Sequence, residues 1–359
     1  MAVDDLRELA RTELAPLADG SGRVNRPLLK ALAQHGLLQR LFPSGERLSA
    51  VELCELRESL AIETTEAETA LALQGLGGYP ILQSGRPETV ARWVPAIARG
   101  EAVAAFALTE PGAGSDAGAI ELSAEPERRG YRLTGTKKWI SNAPDADVYV
   151  VFARTRGAGA DGVTAFVVAG DAPGLSGRPL ELIAPHPVGQ LEFDGVRVPE
   201  GDVLGDLDDG FRVAMQTLDL FRPSVGAFAV GMARAALSSA LAHADSRNAF
   251  GKPLREFQAV SHLLAEMATR LQAARLLVYH AAETYDAGAA GVTRASAMAK
   301  LYATETAQFV VDSAVQIHGA AALEKGHLME HLYREVRAPR IYEGTSQIQR
   351  EVIARELYR

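Results

Sequence analysis

A single glutamate near the C-terminus, Glu343, stands where a carboxylate could act as a base. It lies in the segment Ile341–Gln349, which reads IYEGTSQIQ. Ser346 and Gln349 have the spacing of a capping box, so we expect them to open the last helix. Glu343 would then precede the positive end of a helix dipole, and Gly344 would allow another group to approach closely. Most glutamates at helix starts are solvated, so this position alone does not identify a catalytic base.

A second segment that could carry chemistry is Phe106–Asp116, which reads FALTEPGAGSD. A predicted strand ends there in a Pro-Gly turn, and Gly114 and Ser115 follow. Such a loop exposes backbone N–H groups and hydroxyls, which can hold a phosphate or the polar edge of a cofactor. An ordinary surface turn has the same composition, so both alternatives stay open on this segment alone.

A third segment, Ser246–Gln258, joins two predicted helices through a loop that contains glycine and proline. Arg247 could pair with a phosphate, because a guanidinium matches phosphate geometry. On its own, the segment is better explained as a charged surface connector.

The segment His327–His331, which reads HLMEH, matches the inverted zinc-protease motif. Acidic residues follow it, but they form no recognisable motif for a third ligand. Cys54 is the single cysteine, so we expect neither an intrachain disulfide nor a cysteine-based metal site. We therefore expect no metal, and we interpret the two histidines as part of a polar helix surface.

The composition narrows the classes of function. The chain has 359 residues, of which 47% are hydrophobic and 23% charged, a balance typical of two or three globular domains. The net charge of −8 and the pI of about 5.6 disfavour a nucleic-acid partner. No apolar run reaches the roughly 18–20 residues of a membrane span, and the acidic N-terminus does not resemble a signal peptide. These features predict a cytoplasmic protein without a membrane partner.

The elements that must position these residues follow the order helices, strands, helices. Leucines at helical spacing fill the first hundred residues, which Gly77–Pro80 and Gly85–Pro87 interrupt. The predicted strands are Val103–Thr109, Tyr131–Ser141, Val148–Arg154, Val163–Val168 and Leu191–Val198. The predicted later helices are Phe211–Leu220, Ser224–Arg247, Phe257–Asp286, Ala295–His318 and Ser346–Tyr358.

This order predicts an α+β fold that is mostly α. We expect a helical domain over 1–100, a β domain over 101–207 and a helical bundle over 208–359. The order disfavours a nicotinamide-binding doubly wound sheet, and no G-x-G-x-x-G motif follows a strand.

Four of these blocks together resemble the acyl-CoA dehydrogenase family. They are Thr109–Asp116, Gly135–Asn142, Arg247–Gln258 and Tyr342–Arg350, in the family's order and at about its spacing. Each block is moderately specific, whereas their ordered co-occurrence is highly specific. The resemblance covers nearly the whole chain. It implies an N-terminal helical domain, a central β-barrel-like domain and a C-terminal four-helix bundle.

The resemblance also implies one FAD per subunit in a homo-oligomer, either a dimer or a homotetramer built from dimers. The positions that match the family's FAD contacts are Phe106, Leu108, Thr109, Gly114, Ser115, Trp139, Ile140, Ser141, Arg247, Phe250, Gln258, Gln316, Gly319, Thr345 and Gln347. Among these, the five from Arg247 to Gly319 are implied to reach the FAD of a neighbouring subunit.

The implied chemistry is the α,β-dehydrogenation of a saturated acyl-CoA to the 2,3-enoyl thioester. Glu343 would abstract the α-proton while flavin N5 takes the β-hydride, and burial would make this carboxylate more basic. The Glu343 backbone N–H and a ribityl hydroxyl of FAD would polarise the thioester oxygen. The implied substrate contacts are Ser115, Asp219, Arg222 and Gly344. An electron-transfer flavoprotein is the implied electron acceptor.

Some relatives place the base one residue before the position that matches Arg222. That residue is Phe221 in this chain and cannot act as a base, so Glu343 is the single candidate. Relatives that became oxidases or monooxygenases tend to change this glutamate. Its presence favours dehydrogenation.

The chain departs from the family pattern at three places. Ile183–Gln190 lacks the usual Gly-x-Arg-x-Ser pattern, Ala320 and Ala322 replace customary glycines, and the first domain is shortened around Phe42–Gly45. These departures favour the first of three alternatives that stay open. They are an acyl-carrier-protein-linked dehydrogenase of a biosynthetic pathway, a flavin monooxygenase or oxidase on the same fold, and a non-enzymatic FAD-binding partner subunit.

Overall fold

Helices form both ends of the chain, and strands form its middle. The computed structural model describes residues 3–43, 45 and 47–358. Its α-helices are α1 (Val3–Leu9), α2 (Arg26–Gln34), α3 (Ala50–Glu63), α4 (Thr65–Ser84), α5 (Pro87–Ala98), α6 (Gly210–Ser246), α7 (Gln258–Asp286), α8 (Val292–His318), α9 (Leu328–Glu335) and α10 (Ser346–Glu356). Ser44, which belongs to the stretch expected to be shortened, lies outside the described residues.

The strands between α5 and α6 pair into one sheet. They are β1 (Ala104–Ala107), β2 (Ser123–Glu127), β3 (Gly130–Ser141), β4 (Val148–Arg154), β5 (Val163–Ala169), β6 (Leu175–Pro179), β7 (Val188–Pro199) and β8 (Val203–Leu204). Their order in the sheet is β6-β7-β3-β2-β4-β5-β8, and β1 pairs with β4. A separate short hairpin follows α6 and consists of β9 (Asn248–Ala249) and β10 (Lys252–Pro253). The prediction of an α+β, mostly α fold is confirmed.

The chain folds into two compact units, each made of several segments. One unit combines the residues up to Ala15 with Ser49–Glu68 and everything from Asp219 onward, and the other combines Pro16–Leu48 with Thr69–Leu218. The first is helical, and the second contains the sheet. The domain boundaries expected from the sequence, 1–100, 101–207 and 208–359, stay a prediction.

The helical unit is held together by close contacts between α6, α7, α8 and α10. Gly226 in α6 shows how closely the helices pack, since a Cβ added there would lie 2.7 Å from the Val278 side chain on α7 and 3.4 Å from Ala303 on α8. Small residues at such positions let helix backbones approach each other. α10 packs on α8 in the same unit. The predicted C-terminal four-helix bundle is confirmed.

The two helices predicted on either side of Phe221–Pro223 are one continuous helix, α6, so the predicted break is wrong. Pro223 lacks an N–H and cannot donate to the carbonyl of Asp219, four residues earlier. Ser296 on α8 donates its hydroxyl to that carbonyl at 3.3 Å. Because the freed acceptor has a new partner, the helix continues through the proline.

The interruption predicted at Gly77–Pro80 is also wrong, because α4 runs through it. A Cβ added at Gly77 would lie 2.5 Å from the Ala105 backbone nitrogen, and one at Gly78 would lie 2.8 Å from the Phe42 ring. Both glycines therefore serve close packing rather than a turn.

Among the described residues, one helix, α6, is long and apolar enough to cross a membrane when judged by length and composition. The expectation that no such segment exists is therefore wrong for this helix. However, 67% of its most apolar window is buried within the protein, which is typical of a core helix.

Candidate active site

Glu343 lies in a backbone conformation that residues other than glycine seldom adopt. It precedes α10, its φ is 52°, and Gly344 follows with a φ of 90°. A non-glycine residue in the left-handed region costs about 1–3 kcal/mol and persists only where the surroundings hold it there. Such strain tends to occur at functional sites, so this turn is a candidate on conformation alone.

Hydrogen bonds to three successive carbonyls, those of residues 342–344, hold this turn. Lys300 Nζ donates to the first at 2.6 Å and also to the third. Gln349 Nε2 donates to the second at 3.1 Å and to the third at 3.0 Å. Arg222 Nε lies 3.4 Å from the second. The side chains come from α6, α8 and α10, so packing of the helical unit fixes the turn.

The carboxylate of Glu343 has an unusual environment. The residue is partly exposed, but its Oε2 is fully buried and has no hydrogen-bond partner within the described part of the chain. Burial raises the pKa of this carboxyl above its ordinary value, and Arg57, Lys300 and Arg222 lower it in part. A buried carboxylate with a raised pKa is a stronger base than one in water.

Arg57 is the most deeply buried of these cations after Lys300. On α3 it pairs with the carboxylate of Glu68 and donates through Nη1 to the Ser224 hydroxyl at 2.7 Å. Sequence reasoning did not single out Arg57 or Lys300, and it assigned Gln349 only to a capping box. For the two basic residues a signal was present, because the residues three positions before and after each of them on its helix are apolar or small and are buried.

The predicted substrate contacts Asp219 and Arg222 form an ion pair of 3.2 Å one turn apart on α6. Thr293 donates to the same aspartate at 3.3 Å, and burial raises the pKa of Asp219 while Arg222 lowers it. Phe221, between them, is fully buried. The structure thus brings Asp219, Arg222, Glu343 and Gly344 together in one unit. Ser115 belongs to the other unit.

The loop after β1 contains the predicted residues Leu108, Thr109, Gly114 and Ser115. Leu108 is buried, Thr109 is partly exposed, and the other two are exposed. The Phe106 ring, in β1, lies tilted against the Phe152 ring, in β4, with 4.8 Å between the ring centroids.

Trp139 on β3 is the most unusual predicted residue of this unit. Its φ is 58°, its side chain is 49% exposed, and it lies at a register shift between Lys138 and Ile140. The Lys138 N–H donates to the Thr109 carbonyl at 3.0 Å, so β3 runs beside the loop after β1. Ile140 is buried in the core, whereas Ser141 is partly exposed. The structure therefore brings Lys138, the residue before Trp139, against Thr109, and it places the Ile140 side chain among core residues.

The five residues expected to reach a neighbouring subunit are all exposed. Arg247 and Phe250 lie at the β9–β10 hairpin, Gln258 begins α7, and Gln316 and Gly319 lie at the end of α8. Phe250 is 97% exposed with a φ of 51°. Their role toward FAD stays a prediction.

The residues that follow the Glu343 turn cap α10 differently from the prediction. Thr345 is the N-cap, and its hydroxyl accepts the Ile348 N–H at 3.2 Å. Ser346 donates to Glu305 instead, so the predicted capping box is wrong by one residue. Gln347 is exposed.

The histidines of the HLMEH segment engage separate partners. His327 caps α9, and its Nδ1 accepts the Met329 N–H at 3.1 Å. His331 Nε2 lies 2.7 Å from the Thr65 hydroxyl. Within residues 3–43, 45 and 47–358, no group of three or more histidine, cysteine or acidic side chains could hold a metal ion.

Family models match almost the full chain. The N-terminal, middle and C-terminal domains of acyl-CoA dehydrogenase match residues 1–101, 105–196 and 208–358. Curated relatives include cyclohexane-1-carbonyl-CoA dehydrogenase of Geobacter metallireducens, 35% identical over 99% of this chain and 96% of the relative. They also include a 3-(aryl)acrylate reductase of Clostridium sporogenes, 38% identical over 98% and 96%. The short-chain specific acyl-CoA dehydrogenase of Bos taurus is 39% identical over 98% and 88%.

Solved structures of similar proteins also match this chain over nearly its full length. Butyryl-CoA dehydrogenase from Megasphaera elsdenii is 32% identical, with a TM-score of 0.92, and the match covers 99% of this chain and 98% of that one. A chain in a structure of the electron transferring flavoprotein of Acidaminococcus fermentans is 34% identical, with a TM-score of 0.94 and coverage of 99% and 97%. PigA, solved with FAD and proline, is 27% identical, with a TM-score of 0.92 and coverage of 99% and 97%.

The residues present fit the FAD that this family binds. A flavin needs an apolar surface for its ring and hydrogen-bonding groups for its polar edge. Trp139 offers an exposed ring, and Thr109, Ser115 and Ser141 offer hydroxyls on exposed or partly exposed positions of the same unit. A large exposed aromatic ring in a strained conformation fits a binding surface better than an ordinary surface. The chain belongs to the acyl-CoA dehydrogenase family and is an FAD-dependent oxidoreductase.

Proposed function

We propose that this enzyme converts a saturated acyl-CoA into its 2,3-enoyl thioester, with Glu343 as the general base. One observation carries the proposal. The Glu343 carboxylate has a buried oxygen without a hydrogen-bond partner within the described residues, in a strained turn. An unpartnered buried carboxylate oxygen is costly unless a ligand uses it.

The residues of the turn supply what proton abstraction requires. The α-hydrogen of a thioester is too weakly acidic for an ordinary carboxylate in water. Burial raises the pKa of Glu343, which makes the carboxylate a better acceptor for this proton. We propose that the Glu343 N–H donates to the thioester oxygen, where negative charge develops as the proton leaves. FAD, when bound, supplies the acceptor for the β-hydride.

We propose that Trp139, Thr109 and Ser141 hold the flavin, and that Arg222 and Asp219 contact the CoA moiety. The 3.2 Å pair between Arg222 and Asp219 supports a role for the arginine in orienting a ligand, because the carboxylate fixes its guanidinium. A pantetheine linked to an acyl carrier protein is the alternative to CoA.

We propose an electron-transfer flavoprotein as the electron acceptor. The relative CarC of Acetobacterium woodii, a subunit of a caffeyl-CoA reductase–Etf complex, is 35% identical over 97% of this chain and supports this partner. We also propose that the enzyme is a homo-oligomer, since Arg247, Phe250 and Gln258 are exposed and match positions that contact a neighbouring subunit's cofactor.

The reverse reaction, reduction of an enoyl thioester, is the second candidate. It is favoured by two relatives that are named as reductases, the 3-(aryl)acrylate reductase and the caffeyl-CoA reductase subunit. The same base would then return a proton to the α-carbon. The direction depends on the redox partner rather than on a different set of residues.

Anaerobic mixing of the FAD-loaded enzyme with a panel of thioesters tests the proposal. The panel contains butyryl-CoA, cyclohexane-1-carbonyl-CoA, longer acyl-CoAs and a butyryl carrier protein. Bleaching of the flavin absorbance with formation of the enoyl product is expected. Oxidation of a dithionite-reduced enzyme by enoyl-CoA, without bleaching by any saturated thioester, would assign reduction instead. Product that forms only when the mixing is repeated in air would assign a monooxygenase or oxidase, and no response in either direction would contradict both acyl thioester reactions.

A further inference from the structure

Lys300 is a buried cation that the proposed chemistry does not use. It lies on α8 and is 1% exposed. Its Nζ donates to the Tyr342 carbonyl at 2.6 Å and to the Gly344 carbonyl. A buried ammonium is unfavourable unless its protons find acceptors. The acceptors here are the two carbonyls that flank Glu343 in the chain.

Gln349 contacts the same turn from α10. It is fully buried, and its amide nitrogen donates to the Glu343 carbonyl at 3.1 Å and to the Gly344 carbonyl at 3.0 Å. The turn also lies close against this amide, since a Cβ added at Gly344 would be 2.6 Å from Gln349 Nε2. Lys300 and Gln349 therefore bind all three carbonyls of residues 342–344.

We propose that Lys300 is a positioning residue for proton abstraction, with Gln349 as its partner. Their hydrogen bonds hold the left-handed turn that directs the Glu343 carboxylate. This inference rests on the proposed role of Glu343 as the base. Neither Lys300 nor Gln349 touches the substrate in this proposal, because both side chains are directed to main-chain oxygens of the protein.

Lys300 also acts through its charge. Three cations face Glu343, namely Arg57 from α3, Arg222 from α6 and Lys300 from α8, and each lowers the pKa of its carboxyl against the effect of burial. The pKa of Lys300 is itself lowered to about 8, mainly by burial and in part by Arg222, although Glu343 and Glu305 raise it. Removal of the Lys300 charge is therefore expected to raise the pKa of Glu343 and to reduce its ionised fraction.

The test isolates proton removal from the redox step. The probe is a butyryl-CoA analogue in which sulfur replaces the β-carbon, so that no β-hydride can leave. Exchange of its α-hydrogens in D₂O is followed by mass spectrometry with the FAD-loaded enzyme, between about pH 6 and about pH 9. The variants are Lys300→Met, Lys300→Arg and Gln349→Met. Thr304→Val on α8 is the matched control, because Thr304 is buried and donates only within its own helix among the described residues.

We expect Lys300→Met to slow exchange at neutral pH by at least about 30-fold, part of the roughly 10²–10⁴-fold that a placed general base contributes. The fall in its exchange rate at acidic pH, which is the acid limb of the pH profile, should move up by about one pH unit. The reason is that loss of a nearby charge shifts a carboxyl pKa by roughly 1–3 units. Lys300→Arg should keep the limb in place. Gln349→Met should slow exchange without moving the limb, since it removes no charge. Thr304→Val should follow the wild type.

A soluble, FAD-loaded Lys300→Met enzyme with the wild-type exchange rate and acid limb would overturn the proposal. If Lys300→Met does not fold, the variants Gln349→Met and Lys300→Arg test the positioning role instead. A wild-type exchange rate in Gln349→Met, or a shifted acid limb in Lys300→Arg, counts against the positioning role. The variant Glu343→Gln distinguishes failure of the Lys300 proposal from failure of the proposal that Glu343 is the base. Wild-type exchange in Glu343→Gln shows that the base is another group, whereas its loss beside normal Lys300→Met exchange rejects only the role of Lys300.

Discussion

Lys137 Nζ lies 2.7 Å from Glu110 Oε1, and both residues are buried. The same ammonium donates to the Leu108 carbonyl at 2.8 Å. The Glu110 carboxylate also accepts the N–H groups of Glu121 at 2.6 Å and Leu122 at 3.0 Å. This ion pair therefore joins β3 to the loop after β1, the two segments that contain the proposed flavin contacts.

Replacement of Lys137 by Met is expected to destabilise the sheet unit by about 3–5 kcal/mol, because it leaves a buried carboxylate without its cation. Thermal unfolding followed by circular dichroism, together with release of FAD fluorescence, measures the loss. The control is Arg132→Met on the same strand. Arg132 pairs with Glu125 on the surface, and exposed ion pairs contribute only about 0–1 kcal/mol. Equal losses in both variants would show that burial of the Lys137 pair is unimportant.

Replacement of Glu343 by Gln is expected to slow flavin reduction by at least about 10³-fold while FAD stays bound, because the general base is lost and the shape is kept. Stopped-flow absorbance under anaerobic conditions, with the best thioester of the panel, gives the rate. Glu330→Gln is the control, since Glu330 pairs with Arg334 on the surface of α9. A reduction rate near that of the wild type would reject Glu343 as the base.

The pH dependence of flavin reduction follows from the direction of the Glu343 pKa shift. A base must be deprotonated, and burial raises the pKa of this carboxyl above its ordinary value. The rate should therefore fall as pH decreases through the raised pKa, well before the value of about 4.3 that an ordinary glutamate shows. Single-turnover rates across the pH range of stability test this. A rate that stays constant down to about pH 4.5 would contradict a raised pKa.

The same shift predicts that Glu343→Gln stabilises the protein. Because the folded-state pKa is raised, the folded protein binds more protons than the unfolded chain between the two pKa values. The ionised carboxylate thus costs stability, which falls as pH rises through the folded pKa. The melting temperature of Glu343→Gln should exceed that of the wild type at pH about 8 and approach it at acidic pH. A lower melting temperature at both pH values would contradict the prediction.

Replacement of Gly77 by Ala tests the packing of α4. Helix propensity alone predicts stabilisation by about 1 kcal/mol. The structure predicts the opposite sign, because the added Cβ would lie 2.5 Å from the Ala105 nitrogen, and overpacking costs about 1–3 kcal/mol. Melting temperatures distinguish the two. Gly201→Ala is the control, since its Cβ would meet nothing within 4 Å. A rise in melting temperature for Gly77→Ala would reject the close approach.

The sequence predicted the order of the elements well, because local periodicity reports which faces are buried. β4 was predicted with its observed limits, Val148–Arg154, since this run of β-branched and aromatic residues is buried along most of its length. β2 and β6 were missed because most of their residues are exposed and show no alternation. The predicted break in α6 failed because the partner that replaces the missing Pro223 hydrogen bond, Ser296, is distant in sequence.

Family matches identified some residues of the candidate site, whereas other residues depend on contacts between distant parts of the chain. Glu343 was identified because it lies in one of the four family blocks, and Arg222 because it matches a family position that contacts CoA. Lys300 was not, because its role depends on a contact between residues 42 and 44 positions apart. Gln349 was assigned to a capping box, whereas its side chain binds the carbonyls of the preceding turn. Tertiary hydrogen bonds of this kind leave no periodic pattern in a sequence.

The hydrogen bonds that hold the turn at Glu343 end on main-chain oxygens, which every amino acid possesses. Lys300 and Gln349 would keep the same acceptors if another side chain stood at position 343. The hydrogen bonds that hold the turn therefore do not depend on which side chain stands at position 343. A lineage with this architecture can exchange one side chain, and with it the reaction, without first rebuilding the fold.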